Sequence, residues 1–285
     1  MNVVVIGAGT MGHGIAQVAA MAGHTVKLVD ASIELADRGI DRLRANLDGG
    51  VSRGKQSAGE RDETLGRIQP SDSIATAAVT ADLVVEAVPE RMELKTAIFA
   101  ELQASAPDTA ILATNTSSLS ITEIQQATTV PGRIIGLHFF NPVHINRLVE
   151  IVRGRDTDEA VVTASVEFVH GLGKDPVVVN DSPGFATSRL GVLLGLEAMR
   201  MVEEGVASAE DIDKAMELGY RHPMGPLRLT DLVGLDIRLD IADYLHGRLG
   251  SEAFRPPQIL RDLVAAGKLG KKTGEGFYKW ETVGE

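Results

Sequence analysis

The chain has 285 residues, 44% of them apolar, which is enough for two domains with sizeable cores. Its formal net charge of −11, with no dense Lys/Arg run, argues against a nucleic-acid partner. There is no cysteine, so disulfides, thiolate zinc sites and aldehyde oxidation through a cysteine nucleophile are excluded as well.

The sequence opens on a strand, without a basic leader, an Arg-rich transit segment or an apolar run of membrane length; a cytoplasmic location with no membrane partner is expected. Residues 2–6 (NVVVI) read as a short buried strand, followed at once by Gly7-Ala8-Gly9-Thr10-Met11-Gly12. Such a turn is often only structural. Here it opens a helix with Met11, Ile15, Val18 and Ala22 at helical spacing, and a second strand, Thr25 to Val29, ends at Asp30, 23 residues after Gly7. The dinucleotide fingerprint places its acid at an interval of about 20. Glycines let the backbone approach a pyrophosphate at the helix N-terminus, where free N–H groups and the dipole favour anions. Asp30 would accept both ribose hydroxyls and repel the 2′-phosphate of NADP, and neither Ala31 nor Ser32 offers a compensating Arg. The expected cofactor is NAD.

Apolar residues at steps of three and four predict a long amphipathic helix over residues 32–53. Its charged face is either solvated or offers Arg42, Arg44, Arg53 and the following Lys55 to a phosphate. A looser polar stretch (Ser57 to Glu63) and a turn at Pro70 lead to strand Leu83-Val84-Val85, then to Glu86-Ala87-Val88-Pro89-Glu90. A helix from about Arg91 to Ala104 precedes strand Ala110–Ala113 and the polar loop Thr114-Asn115-Thr116-Ser117-Ser118. That loop either caps a helix or turns its hydroxyls toward a ligand, since ligands sit beyond the carboxyl ends of such strands.

The apolar run Ile134, Ile135, Leu137 ends at His138, and a second run, Leu148 to Val152, contains Glu150. With Asn141-Pro142 as a turn between them, the stretch reads as strand, loop, strand. His138 and Glu150 could be an acid/base pair, the carboxylate fixing the imidazole tautomer, or a merely structural strand-end contact.

A helix at Thr157–Leu172 and a strand at Pro176–Val179 complete an alternating β/α region. Asn180-Asp181-Ser182-Pro183-Gly184 marks the domain boundary, with Ser182 as an N-cap and Pro183 at the first helical position. Residues 1–182 and 183–285 are therefore expected to be separate domains, the second all-α. Its first helix is almost too apolar for a surface helix, and further helices follow near 209–218, 227–249 and 257–267. A nucleotide domain followed by helices suggests an oxidoreductase. No tyrosine has a Lys four residues on, which removes the Tyr–Lys mechanism, and no histidines are paired at metal spacing on a helix, so no metal is expected.

The motifs GAGTMG, LVVEAVPE, NTSSL, HFFNPV with LVEI, DSPGF and GKKTGEGFY, in this order, resemble those of the 3-hydroxyacyl-CoA dehydrogenases, especially the bacterial 3-hydroxybutyryl-CoA branch. The likeness covers nearly the whole chain. It implies an α/β Rossmann-type N-terminal domain with an all-α C-terminal domain, and NAD-dependent oxidation of a short 3-hydroxyacyl-CoA in fatty acid metabolism, or the reverse. His138 would then be the general base and Glu150 its partner, with Ser117 and Asn141 beside substrate and nicotinamide. Glu90, Lys95 and Lys272 would touch the cofactor along with the glycine loop and Asp30. The family's CoA-binding Ser and Lys on the long helix fall at Asn46 and Arg53, a departure that weakens both assignments. Another departure is Ser188, where most relatives carry an Asn directed at the substrate; Ser188 either keeps a water-bridged contact in the interdomain cleft or merely caps its helix. A homodimer joined through the helical domain is also implied. Rival readings are a dehydrogenase of a free hydroxy acid, such as a sugar acid, and a non-catalytic NAD-binding protein; the two Phe of HFFNPV and the retained His138 and Glu150 argue against them.

Overall fold

In the computed structural model, which describes residues 1–281, the first of two units (Met1–Ser182) is built on one eight-stranded sheet. Its strands are β1 (Asn2–Ile6), β2 (Thr25–Val29), β3 (Ile68–Ser71), β4 (Leu83–Glu86), β5 (Ile111–Thr114), β6 (Ile134–Phe139), β7 (Leu148–Arg153) and β8 (Asp175–Asn180). They lie in the order β3-β2-β1-β4-β5-β6-β7-β8. All neighbours are parallel except β6 and β7. Central strands buried on both faces need continuous apolar runs, and Val3, Val4, Val5, Leu83, Val84 and Val85 supply them. The chain leaves β1 on one side for β2 and returns on the other as β4. This reversal opens a crevice at the carboxyl ends of the strands.

Helices α1 (Gly12–Met21), α2 (Ile33–Ser52), α3 (Ala58–Gly66), α4 (Ile74–Ala78), α5 (Met92–Ser105), α6 (Ile121–Gln126) and α7 (Glu159–Gly171) connect the strands. On α2 the recurring apolar positions are the buried ones: Ala36, Leu43 and Leu47 are fully enclosed, each leucine stabilising by about 1.5–3 kcal/mol. Two expectations fail between α2 and β4. The stretch Ser57–Glu63 is not loose: the Ser57 side chain accepts from the Glu60 amide while the Glu60 carboxylate accepts from the Ser57 amide, a capping box that starts α3. Pro70 lies within β3 rather than in a turn; β3 pairs only with β2, and an edge strand tolerates a residue that cannot donate. Serine side chains also cap α4 (Ser73) and α6 (Ser120), two short helices whose five and six residues carry too little periodicity to be read in advance.

The second unit (Pro183–Glu285) is helical: α8 (Thr187–Glu203), α9 (Ala209–Gly219), α10 (Pro226–Val233), α11 (Leu235–Leu249) and α12 (Gln258–Ala265). Val192, Leu196, Met199, Leu227, Leu235, Leu245 and Leu260 form its core. Ser182 is not the N-cap of α8, and Phe185 is not in the helix. Gly184 (φ 76°) and Phe185 (φ 49°) are left-handed, so helical geometry cannot begin until after Phe185, and α8 starts at Thr187. The predicted helix 227–249 is two helices, broken at Gly234 (φ 110°). The tail around GEGFY folds back on fully buried Asp231, whose carboxylate accepts from the amides of Phe277 and Tyr278 and from Trp280 Nε1, each at 2.9 Å. A Cβ at Gly276 would lie 2.3 Å from Asp231 Oδ1, so glycine is required there. Asp213 accepts from the Leu227 and Arg228 amides at the start of α10 and from the Tyr278 hydroxyl at 2.7 Å. Burial first, and that contact next, push the Tyr278 phenol above its ordinary range.

Candidate active site

Because β1, β4, β5 and β6 are parallel, the segments after them share one edge of the sheet: the glycine loop, Ala87–Glu90, Asn115–Ser118 and Phe140–Asn141. β7 runs the other way and brings Glu150 back to that edge.

The glycine loop has distinct roles for its glycines. Gly7 is left-handed (φ 98°), and a Cβ on it would sit 2.7 Å from the Ala87 carbonyl oxygen, so β1 and the segment after β4 pack at backbone distance. A Cβ at Gly12 would strike Gly7. Gly9 faces open space, with nothing within 4 Å of an added Cβ, and is exposed together with Thr10. The N-cap of α1, Met11, makes no side-chain cap and the first turn carries no acid, so nothing there opposes the attraction of the helix N-terminus for an anion. Asp30 Oδ2 accepts from the Ala8 amide and Oδ1 from the Ala31 amide, both at 2.7 Å. Asp30 thus braces the loop as well as presenting a carboxylate beside it. Two adjoining pockets of about 480 and 400 Å³ both border Gly7, Asp30, Val88 and Pro89. This cradle fits a dinucleotide: backbone room for the pyrophosphate, a helix end for its charge, a carboxylate for a ribose.

His138 and Glu150 are direct cross-strand partners in the β6–β7 pair. Facing residues of an antiparallel pair hold their Cβ atoms about 4.5–5.5 Å apart. The loop between them is therefore a detour that returns the carboxylate to the imidazole. His138 Nδ1 lies 2.8 Å from Glu150 Oε2, with His138 5% exposed and Glu150 fully buried. A carboxylate only accepts, so Nδ1 carries the proton and the neutral ring keeps its lone pair at Nε2. The Phe140 ring packs on the imidazole, centroids 4.3 Å apart.

The loop carrying exposed Asn141 is fastened on two sides. Val143 packs so closely on α1 that a Cβ at Gly14 would lie 2.9 Å from it. Buried Lys174 donates to the carbonyls of Val143 (2.6 Å) and Asn146 (2.5 Å), and burial holds its ammonium below the usual lysine range. Nothing in the sequence pattern singled out Lys174, since a lone Lys after a helix reads as solvated.

Ser117 is half-buried in a loop gathered by Glu90, whose Oε1 accepts from Thr116 Oγ1 (2.5 Å) and the amides of Ser117 (2.9 Å) and Ser118 (3.1 Å). Asn115 Oδ1 accepts from the Phe139 amide at 2.9 Å, one residue beyond His138, continuing the β5–β6 ladder after β5 has ended. Lys95 is 1% exposed between Glu86 and Glu90. Asn46 on α2 bonds Gln17 (3.3 Å) and His13 (3.5 Å), and the Arg53 guanidinium lies against Gly49. His144 stands near His13, Lys174, Arg53 and Lys55; burial first, then these cations, lower its pKa from 6.5. Within the second unit, Ser188 is the second residue of α8 and Lys272 pairs with Asp236 at 2.6 Å.

Residues 2–182 match the NAD binding domain of 3-hydroxyacyl-CoA dehydrogenase, and residues 184–280 match its C-terminal domain. The chain is 45% identical over 280 residues to a probable 3-hydroxybutyryl-CoA dehydrogenase of Bacillus subtilis, spanning 98% of this chain and 97% of that protein. It is 44% identical over 286 residues to the mitochondrial hydroxyacyl-coenzyme A dehydrogenase of Homo sapiens, spanning 98% of this chain and 91% of that one. The crystal structure of (S)-3-hydroxybutyryl-CoA dehydrogenase from Ralstonia eutropha superposes with a TM-score of 0.95 at 39% identity, covering 99% of both chains. Both halves of the chain agree with their counterparts in sequence and in structure, and the protein belongs to the 3-hydroxyacyl-CoA dehydrogenase family, NAD-dependent oxidoreductases acting on a CH–OH group.

Proposed function

We propose that the protein interconverts an (S)-3-hydroxyacyl-CoA of short acyl chain, 3-hydroxybutyryl-CoA in the first instance, and the 3-ketoacyl-CoA. The carrying observation is the His138–Glu150 pair, 2.8 Å apart across two strands at the edge that also bears the glycine loop. Bound NAD supplies the nicotinamide that accepts or returns the hydride. Nε2 of His138 removes the proton of the 3-hydroxyl as C3 is oxidised and gives it back in reduction. Glu150 holds the ring by Nδ1–H and offsets the charge of the imidazolium. Positioned acid–base help of this kind contributes about 10²–10⁴-fold.

Ser117 and Asn141 are proposed to contact substrate and nicotinamide, Ser188 to contact the substrate, and Asn46 and Arg53 to contact the CoA. The glycine loop, Asp30, Glu90, Lys95 and Lys272 are proposed to hold the cofactor. Among the described residues no helix is long and apolar enough to cross a membrane; a cytoplasmic enzyme is proposed. A homodimer through the second unit is proposed as well; the large apolar side chains Leu190, Leu218 and Tyr220 there are 67%, 73% and 77% exposed and available to such a contact. Sedimentation of the purified chain at twice its monomer mass supports that dimer; sedimentation as a monomer refutes it.

The deciding assay follows NADH oxidation with acetoacetyl-CoA, longer 3-ketoacyl-CoAs and free 3-keto acids. Turnover of the thioesters with a maximum at short chains is expected. Preference for the free acids overturns the reading.

A further inference from the structure

We propose that Arg238 is a specificity-determining residue: its guanidinium receives a carboxylate at the far end of the acyl chain, so the enzyme accepts coenzyme A half-thioesters of 3-hydroxy dicarboxylic acids. This rests on the dehydrogenase reading and on the proposed contact of Ser188 with the substrate.

The buried positions of α11 are Leu235, Arg238, Ala242 and Leu245, at steps of three and four. That is the spacing of an apolar stripe, and an arginine stands in it. The stripe lies along α8 and the turn before it. A Cβ at Gly184 would be 2.9 Å from Leu245 Cδ2, and one at Gly191 would be 3.8 Å from Arg238 Nη1.

Arg238 is 8% exposed, and its Nε is enclosed with no hydrogen-bond partner. Burial lowers its pKa from 12.5 to about 10, and no carboxylate among the described residues pairs with it. On the same helix Asp236 is taken by Lys272 and Asp243 by Arg261. The buried Asp213 and Asp231 hold backbone amides. Enclosing a guanidinium costs more than bonds to neutral acceptors return, and an anion is what offsets it. The planar fork of an arginine matches the two oxygens of a carboxylate.

Ser188 and Gly191 are three residues apart on α8 and share a face. Apart from the helix itself, Arg238 Nη1 is the one heavy atom among the described residues within 4 Å of a Cβ at Gly191. A glycine and a serine thus leave space beside the guanidinium, on the face proposed to meet the substrate. Asn46 and Arg53 in the first unit are proposed to contact the CoA, so the anion at Arg238 belongs to the acyl chain.

The test compares two substrates of equal carbon count, 3-oxohexanoyl-CoA and the coenzyme A half-thioester of 3-oxoadipic acid, in wild type and in Arg238→Met. Wild type should reduce the carboxylated substrate with a kcat/KM at least about tenfold higher, as a charge-assisted hydrogen bond allows. In Arg238→Met the ratio of the two kcat/KM values should fall by roughly 10- to 100-fold. The ligand-free variant should melt at or above the wild-type Tm, because an enclosed and unpaired charge has been removed. A structural arginine would lower the Tm instead.

A wild type without preference for the carboxylated chain overturns the proposal. So does an equal loss on both substrates, which would assign Arg238 to the thioester and 3-oxygen that they share. A Tm well below wild type would make Arg238 a brace between α8 and α11, and loss of a wild-type dimer on sedimentation would give its anion to a second copy; either result overturns the proposal. Should Arg238→Met fail to fold, Arg238→Lys keeps the charge without the fork. A ratio reduced by at least about threefold is expected there, and an unchanged ratio overturns the proposal. A wild type inactive on both thioesters sinks the dehydrogenase reading and this inference with it. Activity on 3-oxohexanoyl-CoA alone sinks this inference and leaves that reading standing.

Discussion

Asp30 shows how a single side chain can serve fold and specificity together. Its two oxygens already accept from Ala8 and Ala31, so replacing it does more than remove repulsion toward a 2′-phosphate. Asp30→Ala with Ala31→Arg should narrow the preference for NADH over NADPH, and should also lower kcat/KM for NADH by roughly tenfold, since each stranded donor costs about 1–3 kcal/mol. Steady-state kinetics with both cofactors decides; equal wild-type kcat/KM for NADH and NADPH would defeat the idea. At the acid–base pair, His138→Gln should lower turnover by about 10²–10⁴-fold with NADH binding intact. Glu150→Gln keeps the shape of the pair and removes the charge that favours an imidazolium. The acid limb of kcat for hydroxyacyl oxidation should move to lower pH and the maximum should fall. A profile identical to wild type would make Glu150 structural.

Among the elements, what could be read in advance was whatever repeats. Alternating β/α segments, the interval from Gly7 to Asp30 and the stripe along α2 are periodic signals, and the structure carries them. Short elements and backbone reversals were not legible. α3 shows no apolar stripe and is started by Ser57 and Glu60; Gly234 looks like any helix glycine until its φ of 110° is known. The pairing of His138 with Glu150 needed the register of β6 on β7, which no spacing in the chain specifies. The same element-level view bears on Ser188. The N-cap of α8 is Ala186, which makes no side-chain cap, and Ser188 lies two residues inside. A capping role for Ser188 therefore has no geometric basis, and Ser188→Ala should leave the Tm unchanged. One hydrogen bond is worth about 0.5–1.5 kcal/mol, so the same substitution should cost roughly 2- to 12-fold in kcat/KM for the acyl-CoA. Ser188→Asn should retain activity. A variant that is kinetically silent but melts earlier would restore the capping alternative.

For the molecule as a whole, charge is distributed against its sum. A chain of net charge −11 would repel a polyanionic thioester unless positive potential is gathered where the thioester binds. His13, Arg53, Lys55, His144 and Lys174 are one positive cluster, near enough for the other four to act on His144, and we propose it as that place. Burial and those cations lower the pKa of His144 from 6.5. For a histidine depressed in this way, the unfolded chain binds more protons than the folded one just below pH 6.5, so stability is complete above that pH and declines as pH falls toward the folded value. A phosphate seated among these groups would replace repulsion by attraction and raise His144 again. Coenzyme A binding near pH 6.5 should therefore be accompanied by proton uptake of up to about one proton, seen as a binding enthalpy that depends on the ionisation heat of the buffer. His144→Gln should abolish the uptake. Added salt should weaken binding of the CoA thioester far more than that of a phosphate-free N-acetylcysteamine thioester, because exposed charges are screened within about 10 Å at 0.1 M. Proton uptake unaltered by His144→Gln, or equal salt sensitivity of the two thioesters, would place the coenzyme's phosphates away from this cluster.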